Sequence, residues 1–411
     1  MSGATLISHG CRLNIAESEK IAAMLGGEDD LVVVNSCAVT AEAVKTARQA
    51  IRRAHRDRPG ARIVVTGCAA ETEPETFRAM AEVSAIVPNM RKLESASYRP
   101  TRRREAGEAK LASPWTPAFA GVTNKGHART FLPVQNGCDH RCTFCIIPYG
   151  RGPSRSLPAG GVIEETRAAV DQGAREVVLT GVDLTAYGAD LPGQPSLGSL
   201  VARILKHVPE LPRLRLSSLD PCEVDEALLD LIAHEKRLMP HVHLSLQAGD
   251  DMILKRMKRR HNRAQAVDLV ARLKELRPEI AIGADLIAGF PTEDAAMFAN
   301  TLALIDDCAI ALAHIFPYSP RMGTPAARMP QVARDVIKDR AARLREGAGR
   351  AKAAWYQEQV GQVTNVLVEL DGTSGHAANF ARVTLPATAP NTIVRTRITA
   401  VDGDSLIGVA A

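Results

Sequence analysis

Three cysteines fall within eight residues, in the run Cys138-Asp-His-Arg-Cys142-Thr-Phe-Cys145. Thiolates packed this densely on one loop can hold three irons of a [4Fe–4S] cube and leave the fourth iron without a protein ligand. S-adenosylmethionine (SAM) can chelate that iron through its amino and carboxylate groups. An electron from the cluster then breaks a C–S bond and yields a 5′-deoxyadenosyl radical; the cofactor supplies the difficult chemistry and the protein supplies position. The competing reading is a structural zinc site, which wants four ligands and would have to recruit His140. That residue lies between two of the cysteines on a tight loop, where it would struggle to join the same tetrahedron.

Cys11, Cys37 and Cys68 form a second set, scattered in sequence. Each follows a short apolar run: Leu-Ile-Ser-His-Gly-Cys11, Val-Val-Val-Asn-Ser-Cys37 and Val-Val-Thr-Gly-Cys68. If the runs are parallel strands, the three thiols sit at carboxyl ends along one sheet edge, where such folds bind ligands. Gly10, Ser36 and Gly67 leave room for a bulky inorganic group. Three buried cysteines acting as small hydrophobes are the alternative; three at successive strand ends favour a second three-ligand [4Fe–4S] cluster. Cys222 and Cys308 have no such setting and read as structural.

The elements that must hold these residues follow from the patterning. Thr5–Ser8, Leu31–Asn35, Arg62–Thr66 and Ser84–Val87 read as buried strands alternating with the amphipathic stretches Ala16–Leu25 and Ala41–His55, which indicates a parallel sheet. The pattern is lost from about Arg91 to Arg129, a stretch containing Arg99, Arg102, Arg103 and Arg104 that reads as an exposed linker or insertion. Six further strands follow: Phe131–Gln135, Glu176–Leu179, Arg213–Leu216, His241–Leu246, Ala281–Ile287 and Ala309–Phe316. With helices between them they suggest a partial (β/α)6 barrel whose site lies at the carboxyl ends of the strands. Val332–Gln359 reads as one or two helices. Beyond Gly361, Val363–Leu370, Ala381–Leu385, Ile393–Ala400 and Leu406–Val409 suggest a small antiparallel β-barrel, a common nucleic-acid-binding appendage. The fold class is therefore α/β, in units spanning 1–95, 129–355 and 356–411, with 96–128 as the insertion.

The 411 residues carry a net charge of +5 with 45% hydrophobic and only 4% aromatic residues. The cores must be built from Ala, Val, Leu and Ile, and the charge permits an anionic partner without demanding one. No signal peptide or membrane-length apolar run is evident, so a cytoplasmic protein is expected. Eight cysteines in a reducing compartment favour metal ligands or buried apolar residues over disulfides.

The Cys-x3-Cys-x2-Cys spacing with an aromatic before the last cysteine is the radical-SAM signature, and nearly the whole chain resembles the methylthiotransferase family. The resemblance rests on both cysteine triads and on Gly10-Cys11-Arg-Leu-Asn14, Asn35-Ser-Cys37-Ala-Val-Thr40, Val65-Thr-Gly-Cys68, Ile147-Pro-Tyr-Gly-Arg151-Gly152, His243-Leu-Ser-Leu-Gln247-Ala-Gly249, Gly289-Phe-Pro-Thr-Glu293 and Phe316-Pro-Tyr-Ser-Pro-Arg321. It implies two [4Fe–4S] clusters and two uses of SAM: the radical removes hydrogen from C2 of an adenine, and the auxiliary cluster delivers a methylated sulfur. It also implies a terminal TRAM domain that binds RNA, the anticodon stem-loop of tRNA as partner, and an electron donor such as flavodoxin or ferredoxin. Three branches of the family act on N6-threonylcarbamoyladenosine, on N6-isopentenyladenosine or on an aspartate of a ribosomal protein. Cys145-Ile-Ile-Pro148, Gly152-Pro-Ser-Arg-Ser156, Leu179-Thr-Gly-Val-Asp183 and Leu216-Ser-Ser-Leu-Asp-Pro221 resemble the first, which often has His in place of Asp183 and Thr in place of Ser36. A non-catalytic, metal-stapled RNA-binding protein is the rival from another class.

Further residues can be placed on the expected elements. Gly181 and Asp183 end the second barrel strand, where a Gly-rich turn would meet the methionine end of SAM; a simple capped turn is the alternative. Gln247 and Asp285 end later strands as further SAM-binding candidates, with Gly289 weaker. The basic run Lys255-Arg256-Met-Lys258-Arg259-Arg260-His261-Asn-Arg263 reads as a solvated face or as a phosphate-neutralising patch. In the terminal barrel Phe380 offers stacking to RNA, or core packing, and Arg382, Arg395 and Arg397 offer cations.

Overall fold

The computed structural model describes residues 4–28, 30–99 and 128–411; Arg102, Arg103 and Arg104 lie outside them. Thr5–Ser8, Leu31–Ser36, Arg62–Gly67 and Ala85–Ile86 form a four-stranded parallel sheet in sequence order. Leu31–Ser36 is buried along its whole length, as a β-branched run covered on both faces should be. On one face the helix Ala41–Asp57 packs Val44, Ala47, Ile51 and Ala54. Its start is set by Thr40, whose hydroxyl accepts the Ala43 N–H at 3.1 Å. Tyr98, inside the expected insertion, is fully buried against this sheet's other face and donates its hydroxyl to Lys92 O.

The central unit is an open arc of six parallel strands: Arg129–Pro133, Glu176–Thr180, Leu214–Leu216 continuing as Ser218–Leu219, His241–Gln247, Ala281–Ala288 and Ile310–Pro317. The third is interrupted at Ser217, so its first half pairs with Glu176–Thr180 and its second with His241–Gln247. Leu179, Leu214, Leu244 and Ile282 belong to one continuous buried core with the surrounding helices.

The 26-residue helix Arg334–Gln359 buries Ala341 and Leu344 in that core and Tyr356 in the core of the terminal barrel. It runs without a break through the expected boundary at 355–356. The terminal barrel is closed, in the order Val363–Val368, Ser374–Ala377, Arg382–Thr384, Ser405–Ala410, Ile393–Asp402. Ser374–Ala377 went unread in the sequence because Ser-Gly-His-Ala carries no apolar alternation. Gly375 is needed there, since a Cβ would come within 2.5 Å of Leu367 O. One pairing, Arg382–Thr384 with Ser405–Ala410, is parallel, so the barrel is not purely antiparallel.

The terminal barrel docks on the amino-terminal ends of the arc. Arg213 donates to Asn365 O at 2.7 Å, Arg215 to Ala378 O at 3.1 Å, and Arg129 pairs with Glu369 at 2.8 Å. Arg215 is itself held by the fully buried Glu176 at 2.7 Å. Among the described residues no helix is long and apolar enough to cross a membrane.

Candidate iron–sulfur site

The loop carrying Cys138, Cys142 and Cys145 leaves the first strand of the arc at its carboxyl end. Gly137 makes the exit possible: at φ +76° a side chain there would place Cβ 1.9 Å from Pro153 O. The loop is then tied down by its own backbone. Cys138 N–H donates to Gly152 O, Thr143 N–H to Met257 O, and Thr143 Oγ1 to Arg256 O. Arg259 reaches Cys142 Sγ at 3.6 Å while pairing with Asp220 at 2.8 Å. Arg260 pairs with Glu223 at 2.6 Å, and Arg263 with Asp307. Arg259 and Arg263 of the basic run are therefore engaged with carboxylates and the cysteine loop, while Lys255, Lys258 and Arg260 remain exposed.

The three strand-end cysteines converge as the parallel-sheet argument requires. A Cβ on Gly10 would fall 2.7 Å from Cys37 Cβ and 3.0 Å from its sulfur, so the neighbour of Cys11 lies directly on Cys37. Cys68 opens the short helix Cys68–Thr72 after Gly67 at φ +93°. Gly150, just beyond the radical-SAM loop, packs on Cys68, where an added Cβ would lie 3.3 Å from Cys68 Cβ. Asn89 Nδ2 donates to Gly150 O at 2.6 Å and lies 3.8 Å from Cys68 Sγ. The segment that follows the radical-SAM loop thus packs on the auxiliary triad at Cys68, and Cys145 lies within electrostatic reach of that thiol.

Arg151 locks that contact. It is buried and donates to Glu17 at 2.8 Å, Asn14 at 2.6 Å and Asn136 at 2.9 Å, while Lys92 pairs with the same Glu17. Burial alone would raise the Glu17 carboxyl, but Arg151 and Lys92 hold it down at about 2. The sulfurs of Cys68 and Cys11 act on Arg151 from the other side.

Burial raises Cys37 to about 11 and Cys145 to about 12, and the neighbouring cysteines push in the same direction. A bare thiolate is unfavourable at these positions, as it is at the core thiol Cys308, which burial also raises to about 12. Among the described residues neither triad gathers its three sulfurs within 4.8 Å of one another, whereas a single zinc with Zn–S of about 2.3 Å would hold them about 3.8 Å apart. His140 does approach Cys138 and Asp183. The neighbouring carboxylates of Asp183 and Glu223 raise its pKa to about 10.

The other expected residues lie around these cysteines or well below them. Val182 and Asp183 N–H both donate to Gln135 Oε1, at 3.0 and 2.9 Å, and Gly181 backs on the same side chain. Asp183 Oδ2 lies 3.5 Å from Cys138 Sγ. Gln247, at φ +69°, lines a cavity of about 180 Å³ with Asp285, Phe144, Phe316 and Thr40. That cavity joins the cysteine loop, two strand ends and the first domain, whose Ala41 N–H donates to Ser319 Oγ at 3.2 Å. Asp285 is held by His243 at 3.0 Å and His314 at 3.2 Å. Burial would raise its carboxyl, yet the two imidazoles hold it well below the usual range. Phe380 packs 4.8 Å from both His241 and His376, with the Arg215 guanidinium 4.8 Å from its ring centroid, in the seam below the arc. Arg382, Arg395 and Arg397 are exposed. Cys308 is fully buried, but Cys222 is exposed, so only Cys308 is a core thiol.

Arg151, Gln135 and the two histidines on Asp285 were not singled out from the sequence, and Arg259 was read only as one member of a basic run. Arg151 and His243 were visible only as letters in motifs, because their partners lie on other elements.

Residues 132–305 match the Radical SAM superfamily and residues 4–88 match Uncharacterized protein family UPF0004. The chain is 47% identical to the threonylcarbamoyladenosine tRNA methylthiotransferase MtaB of Rickettsia prowazekii, over 92% of this chain and 90% of that protein. It is 34% identical to a tRNA-2-methylthio-N(6)-dimethylallyladenosine synthase of Erythrobacter litoralis, over 89% and 86%. Among solved structures the fold is similar to the radical S-adenosylmethionine methyltransferase TsrM of Kitasatospora setae with cobalamin and a [4Fe–4S] cluster bound. That match has a TM-score of 0.50 at 16% identity, covering 80% of this chain and 77% of that one. With both cysteine triads in place and such relatives matched over nearly their full length, the chain belongs to the methylthiotransferase family of radical-SAM enzymes, which use SAM and [4Fe–4S] clusters.

Proposed function

We propose that the chain converts N6-threonylcarbamoyladenosine beside the anticodon of tRNA to its 2-methylthio derivative. The observation that carries this reading is the packing of Gly150, just beyond one cysteine triad, on Cys68 of the other, in a chain 47% identical to a relative named for that modification. In this reading Cys138, Cys142 and Cys145 hold one [4Fe–4S] cluster and Cys11, Cys37 and Cys68 hold the other. When bound, the clusters and SAM supply reductive C–S cleavage and a methylated sulfur.

The chain's own residues supply position. Gln247 and Asp285 orient SAM in the cavity above the strand ends, with Gly181 and Asp183 at the turn beside Cys138. Phe144 and Phe316 keep water from the reacting atoms. Arg151 balances the negative charge of the auxiliary thiolates, and Arg259 does the same beside Cys142. Residues 1–95 act as the auxiliary-cluster domain, 129–355 as the radical-SAM domain and 356–411 as a TRAM-like RNA-binding domain, with Arg382, Arg395 and Arg397 meeting phosphates. An electron donor such as flavodoxin or ferredoxin and a cytoplasmic location complete the reading.

Anaerobic iron and sulfide analysis, with SAM cleavage followed in the same preparation, tests it. About eight irons per chain are expected. A Cys138/Cys142/Cys145 triple-Ala variant and a Cys11/Cys37/Cys68 triple-Ala variant should each retain half, with SAM cleavage lost only in the first. Nucleoside analysis of the tRNA then identifies the base. One zinc per chain with no 5′-deoxyadenosine would sink the radical reading, and product only on isopentenyladenosine would sink the substrate.

A further inference from the structure

The six-stranded arc does not close on itself, since Arg129–Pro133 and Ile310–Pro317 are its unpaired ends. Beside the second end lies a cavity of about 390 Å³ bordered by Arg12, His243, His314, Arg345 and Phe380. Hydrogen bonds that Asp285 accepts from His243 and His314 link it to the cavity at the strand ends. The Asp285 carboxylate lines that upper cavity and lies against His243 and His314, which border the lower one.

Arg12 lies within electrostatic reach of Glu176 and Asp285 as well as of Arg129 and Arg215, but is tied to neither carboxylate. Nearby Arg129 is paired with Glu369 at 2.8 Å, Arg215 with Glu176 at 2.7 Å, and Asp285 with its two histidines. Among the described residues Arg12 makes no hydrogen bond or ion pair with another side chain; its guanidinium stands 5.5 Å from the Phe380 ring centroid. Arg345, exposed and also bordering the cavity, makes no ion pair among the described residues. A partly buried guanidinium among other cations is unfavourable until an anion joins it, and its fork matches a carboxylate with two parallel hydrogen bonds.

We infer that this cavity receives the threonyl carboxylate of the substrate's N6 side chain, with Arg12 as the residue that reads it. The inference rests on the substrate reading above. The modified arm leaves the purine at N6 while C2 reacts. A base whose C2 faces the upper cavity therefore needs a neighbouring space for a polar, anionic arm, and Asp285, which lines the upper cavity, is hydrogen-bonded to both histidines that border the lower one. An isopentenyl arm carries no charge for Arg12 to meet, so the same residue would discriminate between the two kinds of substrate named for the relatives.

The test uses the reconstituted holoenzyme and two synthetic anticodon stem-loop RNAs. One bears threonylcarbamoyladenosine, and the other bears the same nucleoside with its carboxylate replaced by a carboxamide. Wild type should bind the carboxamide RNA about 10- to 100-fold more weakly, the range of one charged hydrogen-bonded pair. Arg12→Gln should weaken the carboxylate RNA by a similar factor and no longer tell the two apart, and Arg12→Lys should regain part of the difference. Iron per chain checks that each variant is loaded. If Arg12→Gln loses its iron, the wild-type comparison of the two RNAs decides alone.

Equal wild-type affinity for both RNAs overturns the inference. So does an Arg12→Gln loss that is the same for both while the wild type separates them, which would place an RNA phosphate at Arg12. Methylthiolation of an isopentenyladenosine RNA and not of the threonylcarbamoyl one would instead overturn the substrate reading beneath it.

Discussion

Replacing Arg151 with Met removes the guanidinium that joins the radical-SAM unit to the first helix of the amino-terminal domain while nearly keeping side-chain volume. Glu17 would remain buried with Lys92 as its sole cationic partner, and Asn14 and Asn136 would lose their donor. A carboxyl held at about 2 instead of its ordinary 4.5 corresponds to roughly 3 kcal/mol at neutral pH, of which Arg151 supplies the larger share. Breaking one partner out of a buried ion pair costs about 3–5 kcal/mol in other proteins, so the two routes agree. Anaerobic urea unfolding followed by circular dichroism should show the midpoint falling by roughly 1–3 M, for a slope of about 1–3 kcal/mol/M.

The pH dependence has a definite sign. Because the folded Glu17 pKa is depressed, its contribution is fully present above about 4.5 and is lost as pH falls toward 2. The gap between wild type and Arg151→Met should therefore be flat from pH 7.5 to 5 and shrink only below that. A Glu17→Gln/Arg151→Met double variant should lose less than the sum of the singles. A stability change under about 1 kcal/mol, strict additivity, or a gap that widens on acidification would each refute the argument.

Gly10→Ala should cost the auxiliary triad its iron and leave about half the total, because the added Cβ meets Cys37 at φ +108°; iron analysis that finds the full complement would contradict this. Glu176→Gln strands Arg213 and Arg215 where the terminal barrel docks. It should destabilise by about 3–5 kcal/mol and speed proteolysis after residue 359, both read on the purified protein. Replacing Arg382, Arg395 and Arg397 together with Gln should flatten the salt dependence of RNA affinity by roughly 2 in log–log slope, at about 0.7 per phosphate on single strands. An unchanged slope would remove these residues from the RNA surface.

What can be read from the sequence is what depends on neighbours along the chain. Strand runs such as Leu31–Ser36 and Arg62–Gly67 announce themselves because a central parallel strand is apolar on both faces. A thiol immediately after each run must lie at its carboxyl end, so the convergence of Cys11, Cys37 and Cys68 follows from local pattern and the parallel rule together. Cys138, Cys142 and Cys145 needed only spacing. The short strand Ser374–Ala377 escaped because its place in the barrel comes from pairing with Val363–Val368 and not from its own composition.

Charge pairing was decided by the tertiary structure alone. Nothing near Arg151 in sequence names Glu17, 134 residues away, and nothing near Asp285 names both His243 and His314. The run from Lys255 to Arg263 looked uniform in sequence, yet the fold gives Arg259 to Asp220 and the cysteine loop, and Arg260 to Glu223. Phe380 was legible as an aromatic beside cations, but the cations it meets, Arg12, Arg129 and Arg215, come from two other units. A side chain's periodicity fixes which face it occupies, whereas its partner depends on which surfaces the long-range packing brings together, and in a buried, weakly screened setting that partner decides whether the charge is a lock, a ligand's neighbour or an unfilled site.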